Sequence, residues 1–195
     1  FFRLLMTPVE ERSFIFLEPE ISVSMSPDEA GILLRLNHDS VSYDGIVITD
    51  TSWHHLALTT DGSAAILWVD GYAAAQSVVG FSVNGRSLKL GNGGSSAQTI
   101  ELDEARLSSV VRYSAGFIPA ALTDDENTLG YWRFNEGSFD ADVPTVYDLS
   151  GSGLHLELVG PGQAAWNPDA PARTDTENAI AINEIMPNPS GSDGG

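Results

Sequence analysis

Short apolar runs alternate with turn residues from the start of the chain, and the period is that of strands. Ser13 to Leu17, Ile21 to Met25, Ile32 to Leu36 and Gly45 to Thr49 read as β-strands. Pro27-Asp28, Asn37-His38-Asp39 and Asp44-Gly45 are the breaks between them. Trp53 to Thr60 and Ala64 to Val69 flank Asp61-Gly62, a pair that tolerates the positive φ of a tight turn. A second pair, Asp70-Gly71, leads into Tyr72 to Val78, so three antiparallel strands form a meander. Within it Leu67 and Val69 share one face, and Ile66, Trp68 and Asp70 the other. Arg86 to Leu90 and Thr99 to Leu107 follow as strands around the loop Gly91-Asn92-Gly93-Gly94-Ser95-Ser96. Thr123 to Glu126 has the spacing of a capping box and predicts one helical turn. Leu129 to Phe134 and Leu154 to Val159 are the remaining strands. No long amphipathic helix is written anywhere, so the fold class is all-β.

Composition adds two exclusions. Lys and Arg total 9 against 27 Asp and Glu, a formal charge of −18. That field repels phosphate backbones and anionic lipid, so nucleic acid and membrane surfaces are poor partners. It suits a hard cation such as calcium, and equally it keeps an extracellular protein soluble. The absence of cysteine removes disulfides, thiolate metal sites and thiol nucleophiles together. The chain opens Phe1-Phe2-Arg3, so an export signal is expected upstream or already removed.

Four segments, in order, carry a family resemblance. Ser52-Trp53-His54-His55-Leu56-Ala57-Leu58-Thr59-Thr60-Asp61-Gly62, then Leu67-Trp68-Val69-Asp70-Gly71, resembles a "WHHVAxTxDG…LYVDG" hairpin. Leu102-Asp103-Glu104-Ala105-Arg106-Leu107, extended through Val111-Arg112-Tyr113 and Phe117-Ile118-Pro119, is similar to "IDEVRIS…VRYTxxFTP". Leu129 to Gly137 and Asp148-Leu149-Ser150-Gly151-Ser152-Gly153 resemble "LxxxWxFDEG" and "DxSGxG". Together they are similar to laminin-G-like (concanavalin A-like) jelly-roll domains of bacterial secreted and surface proteins. The resemblance implies a β-sandwich of two antiparallel sheets over residues 1–160, secreted or displayed at the cell surface. The family's opening strand, of the type "FTIEAWVKP", has no counterpart here, and a sandwich lacking one strand exposes a sheet edge. Residues 161–178 read as a Pro- and Ala-rich linker. Residues 179–195, with Ala181 to Pro189 at their centre, resemble the start of a lamin-tail (immunoglobulin-like) domain. The expectation is a piece cut from a larger multidomain protein.

The catalytic alternative is a β-glucanase, which carries its carboxylates on one strand. In Ile100 to Arg106, Glu101 and Asp103 share a face, Ala105 follows on it, and Glu104 points away. A retaining mechanism needs two carboxyls roughly 5 Å apart, so Glu101 lacks its partner unless a bulge turns Glu104. His54 and His55 are adjacent and face opposite sides of a strand, while His38 and His155 stand alone. The expectation is no enzyme.

Two binding readings remain. Asp148 heads a Ser/Gly turn, and the resemblance implies a calcium at the sandwich rim, held by Asp148 with carbonyls of Gly151 or Gly153 and with Asp103 or Asn135 as a second ligand. The alternative is an Asx turn closed by Asp148 on its own backbone. Trp68 either stacks on a sugar or packs on the sheet. Trp53 and Trp132 read as core, and Trp166 as a plug for the linker. The leading function is a non-catalytic binding or adhesion module for carbohydrate or matrix ligands, alongside neighbouring domains of the same polypeptide. A structural spacer without a ligand is the alternative.

Overall fold

The computed structural model describes residues 1–5, 10–18, 21–82, 87–91, 100–136, 145–158, 165–167, 179–182 and 184–187. The loop at 92–96, Gly137, Val159, most of 161–178 and the end at 188–195 lie outside the described residues. The chain is all-β, with no helix among the described residues. The strands, in order, are β1 (Phe2–Leu4), β2 (Arg12–Glu18), β3 (Ile21–Pro27), β4 (Ile32–His38), β5 (Val41–Ile48), β6 (Leu56–Thr60), β7 (Ala65–Val69) and β8 (Tyr72–Ser77). There follow β9 (Ser87–Gly91), β10 (Ile100–Leu102), β11 (Ala105–Ser108), β12 (Thr128–Trp132), β13 (Thr145–Val146) and β14 (Leu156–Leu158). The last are β15 (Ala165–Asn167), β16 (Ala179–Ile182) and β17 (Glu184–Pro187).

Every pairing is antiparallel, and the arrangement is consistent with a β-sandwich. The largest sheet runs β13-β14-β17-β9-β2-β3-β4-β5; the others are β1-β10-β16-β15, β11-β12 and β6-β7-β8. Alternation explains the core. Along β4, Ile32, Leu34, Leu36 and His38 are buried and the residues between them are not. Ile32, Leu34 and Leu36 join Phe14, Val23, Met25, Leu67, Val69, Phe2 and Trp132 in one apolar cluster drawn from all the sheets. The smaller sheets are tied together at Phe2, which exchanges backbone hydrogen bonds with His54 (2.9 and 2.8 Å) and pairs with Leu102 on its other side.

The meander forms as its turn residues dictate. Asp70 (φ 50°) and Gly71 (φ 84°) both adopt the left-handed conformation that a two-residue hairpin needs. Asp61-Gly62 instead sits in a longer loop, closed by Asp61 Oδ1 accepting from the amides of Ser63 and Ala64 (2.8 and 3.0 Å). Other expectations shift for local reasons. Asp44-Gly45 does not break the chain: β5 runs through it beside a bulge between Leu33 and Arg35. A Cβ on Gly45 would lie 2.7 Å from the Leu34 carbonyl oxygen, so glycine serves close strand approach there. The expected strand from Thr99 to Leu107 is split into β10 and β11, because Glu104 takes a left-handed conformation (φ 57°). The capping-box turn is not helical; Asp125 instead accepts from the amide of Asn127 (2.9 Å).

Residues 165–167, 179–182 and 184–187 are strands of these same sheets. β16 lies between β10 and β15, and β17 between β14 and β9. Their backbone is thus paired with β9, β10 and β14.

Candidate functional site

Trp68 is placed on the outer face of β7, as alternation requires, and it is not open there. It is 3% exposed. Its indole Nε1 donates to Thr59 Oγ1 (2.8 Å), and Phe117 lies over it with ring centroids 5.9 Å apart. The cover comes from the segment after β11, where Tyr113 and Phe117 stack at 3.6 Å. Gly71 permits this approach: a Cβ there would fall 1.8 Å from the Phe117 carbonyl oxygen. The ring has no free face for a sugar.

Beneath the same segment lies His55, ringed edge-on by Phe1, Tyr113 and Phe117 at 5.4, 5.7 and 5.3 Å. It is 3% exposed, and its Nδ1 has no hydrogen-bond partner among the described residues. Burial, aided by the charged amine of Phe1, pushes its pKa down to about 4, so it is a neutral ring in the apolar wall. Its neighbour His54 faces the other way, with Nδ1 2.7 Å from Asp70 Oδ2. Asp70 Oδ1 accepts from the His55 amide (2.8 Å), so one carboxylate spans both histidines. His38 is buried on Ser77 Oγ (3.0 Å), and His155 accepts from the Asp148 amide (3.0 Å).

The Asp148 turn is built around its carboxylate. Oδ1 accepts from the amides of Tyr131 and Ser150 (2.9 Å each). Oδ2 accepts from Ser150 Oγ and the Leu154 amide (3.0 Å each). Gly151 (φ 82°) and Gly153 (φ 73°) provide the left-handed steps that bring Leu154 back to it. Burial alone would raise the Asp148 pKa, but these four donors together hold it below the ordinary carboxylate range. A calcium ion would have to displace the donors that define the turn, so this Asx arrangement does not fit the cation. Asn135 is exposed, Asp103 is fully buried, and the described residues hold no group of three or more His, Cys, Asp or Glu placed for a metal.

Glu101 on β10 and Glu104 in the turn to β11 are also committed. Glu101, 2% exposed, is paired with Arg3 (Nε to Oε2 2.5 Å), whose guanidinium lies 4.9 Å from the Trp53 ring centroid. The turn between the two strands is made at Glu104 (φ 57°). It carries the side chain to Tyr131 and Leu122: Oε1 accepts from the Tyr131 hydroxyl and Oε2 from the Leu122 amide (2.8 Å each). Arg106 donates to the Thr123 carbonyl (2.9 Å).

Beside Glu104 and Arg106, among the described residues, a cavity of about 700 Å³ is lined by β6 and β11. Its floor is apolar, with Leu17, Leu90, Leu102 and Trp132. The pattern of apolar residues gives no sign of it, because its lining is drawn from segments far apart in the chain.

Compared with known proteins, the chain matches no protein-family model, no curated protein and no solved structure.

Proposed function

We propose that this chain is a non-catalytic module of laminin-G-like jelly-roll type, serving as a structural spacer within a larger secreted protein. The observation that carries the reading is the internal use of three side chains that resembled ligand or catalytic contacts. Trp68 is capped by Phe117, Asp148 is saturated by turn donors, and Glu101 is locked to Arg3. A binding site needs polar groups and rings that converge on open space; here they converge on the protein. The charge of −18 fits a soluble extracellular surface and disfavours nucleic acid and anionic membranes as partners. Its natural partners are neighbouring domains of the same polypeptide.

Adhesion to carbohydrate or matrix is retained as a second reading on one observation: Tyr72, on β8, is 75% exposed. Glycan and matrix-protein arrays, run with and without chelator, separate the two. The spacer reading expects no signal and no change in Tm on adding calcium. A glycan signal abolished by Tyr72→Ala would replace it with adhesion. Polysaccharide cleavage lost on Glu101→Gln would overturn the non-catalytic assignment.

A further inference from the structure

The cavity lined by β6 and β11 is bordered by two strand edges. Among the described residues β6 pairs only with β7 within a sheet, and β11 only with β12. Hydrogen-bonding groups alternate sides along an antiparallel strand, so one known bond fixes the direction of the rest. The Asp70 amide donates to the His55 carbonyl, which turns His55, Ala57 and Thr59 toward β7. Leu56, Leu58 and Thr60 therefore direct their amides and carbonyls away from β7. On the other flank the Tyr131 amide donates to Asp148 Oδ1 and its carbonyl accepts from the Leu149 amide, so both point away from β11. Arg106, paired with Tyr131, in turn directs its own backbone groups away from β12.

β1 shows what fits between these flanks. Phe2 exchanges hydrogen bonds with His54 and pairs with Leu102, so His54 and Leu102 stand one strand apart, about 10 Å at ladder spacing. His54 lies on the same edge as Leu56, Leu58 and Thr60, and Leu102 leads through Glu104 into β11. Both edges continue from there along the cavity, which consecutive residues of β6 and of β11 line. Leu56, Leu58, Ala105 and Leu107 pack against the core, yet every residue of β6 and β11 is only partly buried. By contrast β7, between its two neighbours, is buried at four of five positions. Residues placed opposite Leu56, Leu58 and Thr60 would face the apolar floor, as the buried Phe2 does opposite His54.

We propose that this cavity is a docking site for an extended peptide of a partner polypeptide, which enters as a strand between β6 and β11. The chemistry of the partner follows from the edges and the floor. It is a continuous run of peptide N–H and C=O groups, with apolar side chains at alternate positions and polar ones between them. A compact apolar ligand would cover the same floor but bury the edge amides and carbonyls without partners, at a cost for each. The charge of −18 disfavours acidic residues in the peptide. Every described strand is already engaged in a ladder, so the occupant comes from a partner rather than from these strands.

The test adds free peptides to the 195-residue chain and reads hydrogen exchange residue by residue. One peptide alternates valine with threonine between terminal lysines; a second has the same residues with the valines grouped. Without peptide, the amides of Leu56, Leu58, Thr60 and Arg106 are expected to exchange faster than those of Ala57 and Thr59. The alternating peptide is expected to slow the first set by about tenfold or more and to leave the second unchanged. The grouped peptide should do neither, because it presents no single apolar face. N-methylation of the alternating peptide, which removes its donors and keeps its apolar side chains, should abolish the effect. Equal protection by the grouped or the N-methylated peptide, or none by the alternating one at saturating concentration, would overturn strand docking. Slow exchange of the first set without peptide would mean that the edges are already covered. Slowing that rises with protein concentration would replace the partner with a second copy. These readouts move independently of the array signals that separate spacer from adhesion.

Discussion

The Asp70 carboxylate lies 2.7 Å from His54 Nδ1, and its second oxygen holds the backbone amide of His55 at 2.8 Å. One side chain at the β7–β8 turn thereby fixes the residues that lead into β6. Asp70→Ala removes both bonds and leaves the His55 amide unsatisfied, for an expected loss of about 1–3 kcal/mol in chemical denaturation. Asp70→Asn, which keeps an acceptor for that amide and tolerates positive φ, should recover a measurable part of the loss.

His55 gives the fold a pH dependence. Its folded pKa of about 4 is below the ordinary value of 6.5, the cause being burial first and the Phe1 ammonium second. The unfolded chain binds the proton as pH falls below 6.5, and the folded chain does not until about 4. Stability from this residue is therefore complete above pH 6.5 and declines toward pH 4, by roughly 2 kcal/mol. Urea titrations across that range should show the slope, and His55→Phe should flatten it.

Phe117→Ala should uncover Trp68. The expected readouts are a red-shifted tryptophan emission and a stability loss of about 1–3 kcal/mol, smaller than for a fully buried ring because Phe117 is only partly buried. An unchanged spectrum would mean that the ring is not the cover.

Asp148→Ala strips four donors of their acceptor in a buried turn, and about 2–4 kcal/mol of stability should go with them. Because the folded pKa is lowered, the wild-type contribution is present above the ordinary carboxylate range and fades as pH falls below it. The variant should lose less than the wild type on acidification, measured by thermal melts.

Much of the fold is legible because it is local. Asp70-Gly71 announces its hairpin and the apolar run Ile32 to Leu36 announces a strand; both appear, the strand running on through Asn37 and His38, which read as a break. What is hidden depends on distant partners. Phe117 is far from Trp68 along the chain, so the pattern around Trp68 could show its face but not its lid. The break at Glu104 turns on one left-handed residue that carries no glycine or asparagine to mark it. Phe2 to Leu4 is too short to read as a strand, and gains its place only from His54 and Leu102 on either side. The Asx-turn alternative for Asp148 was visible in the sequence; the four donors that favour it were not.

The position of β1 also sets the order in which the molecule can assemble. Phe1 meets Asp103 across 102 residues of chain, whereas the β6–β8 meander closes over a few. Loop-closure entropy must be met before such a distant pairing is rewarded, so the meander is expected to form early and the β1–β10 ladder late. Until that last ladder closes, the edge of β10 stands open to other chains, and refolding yield should fall with protein concentration.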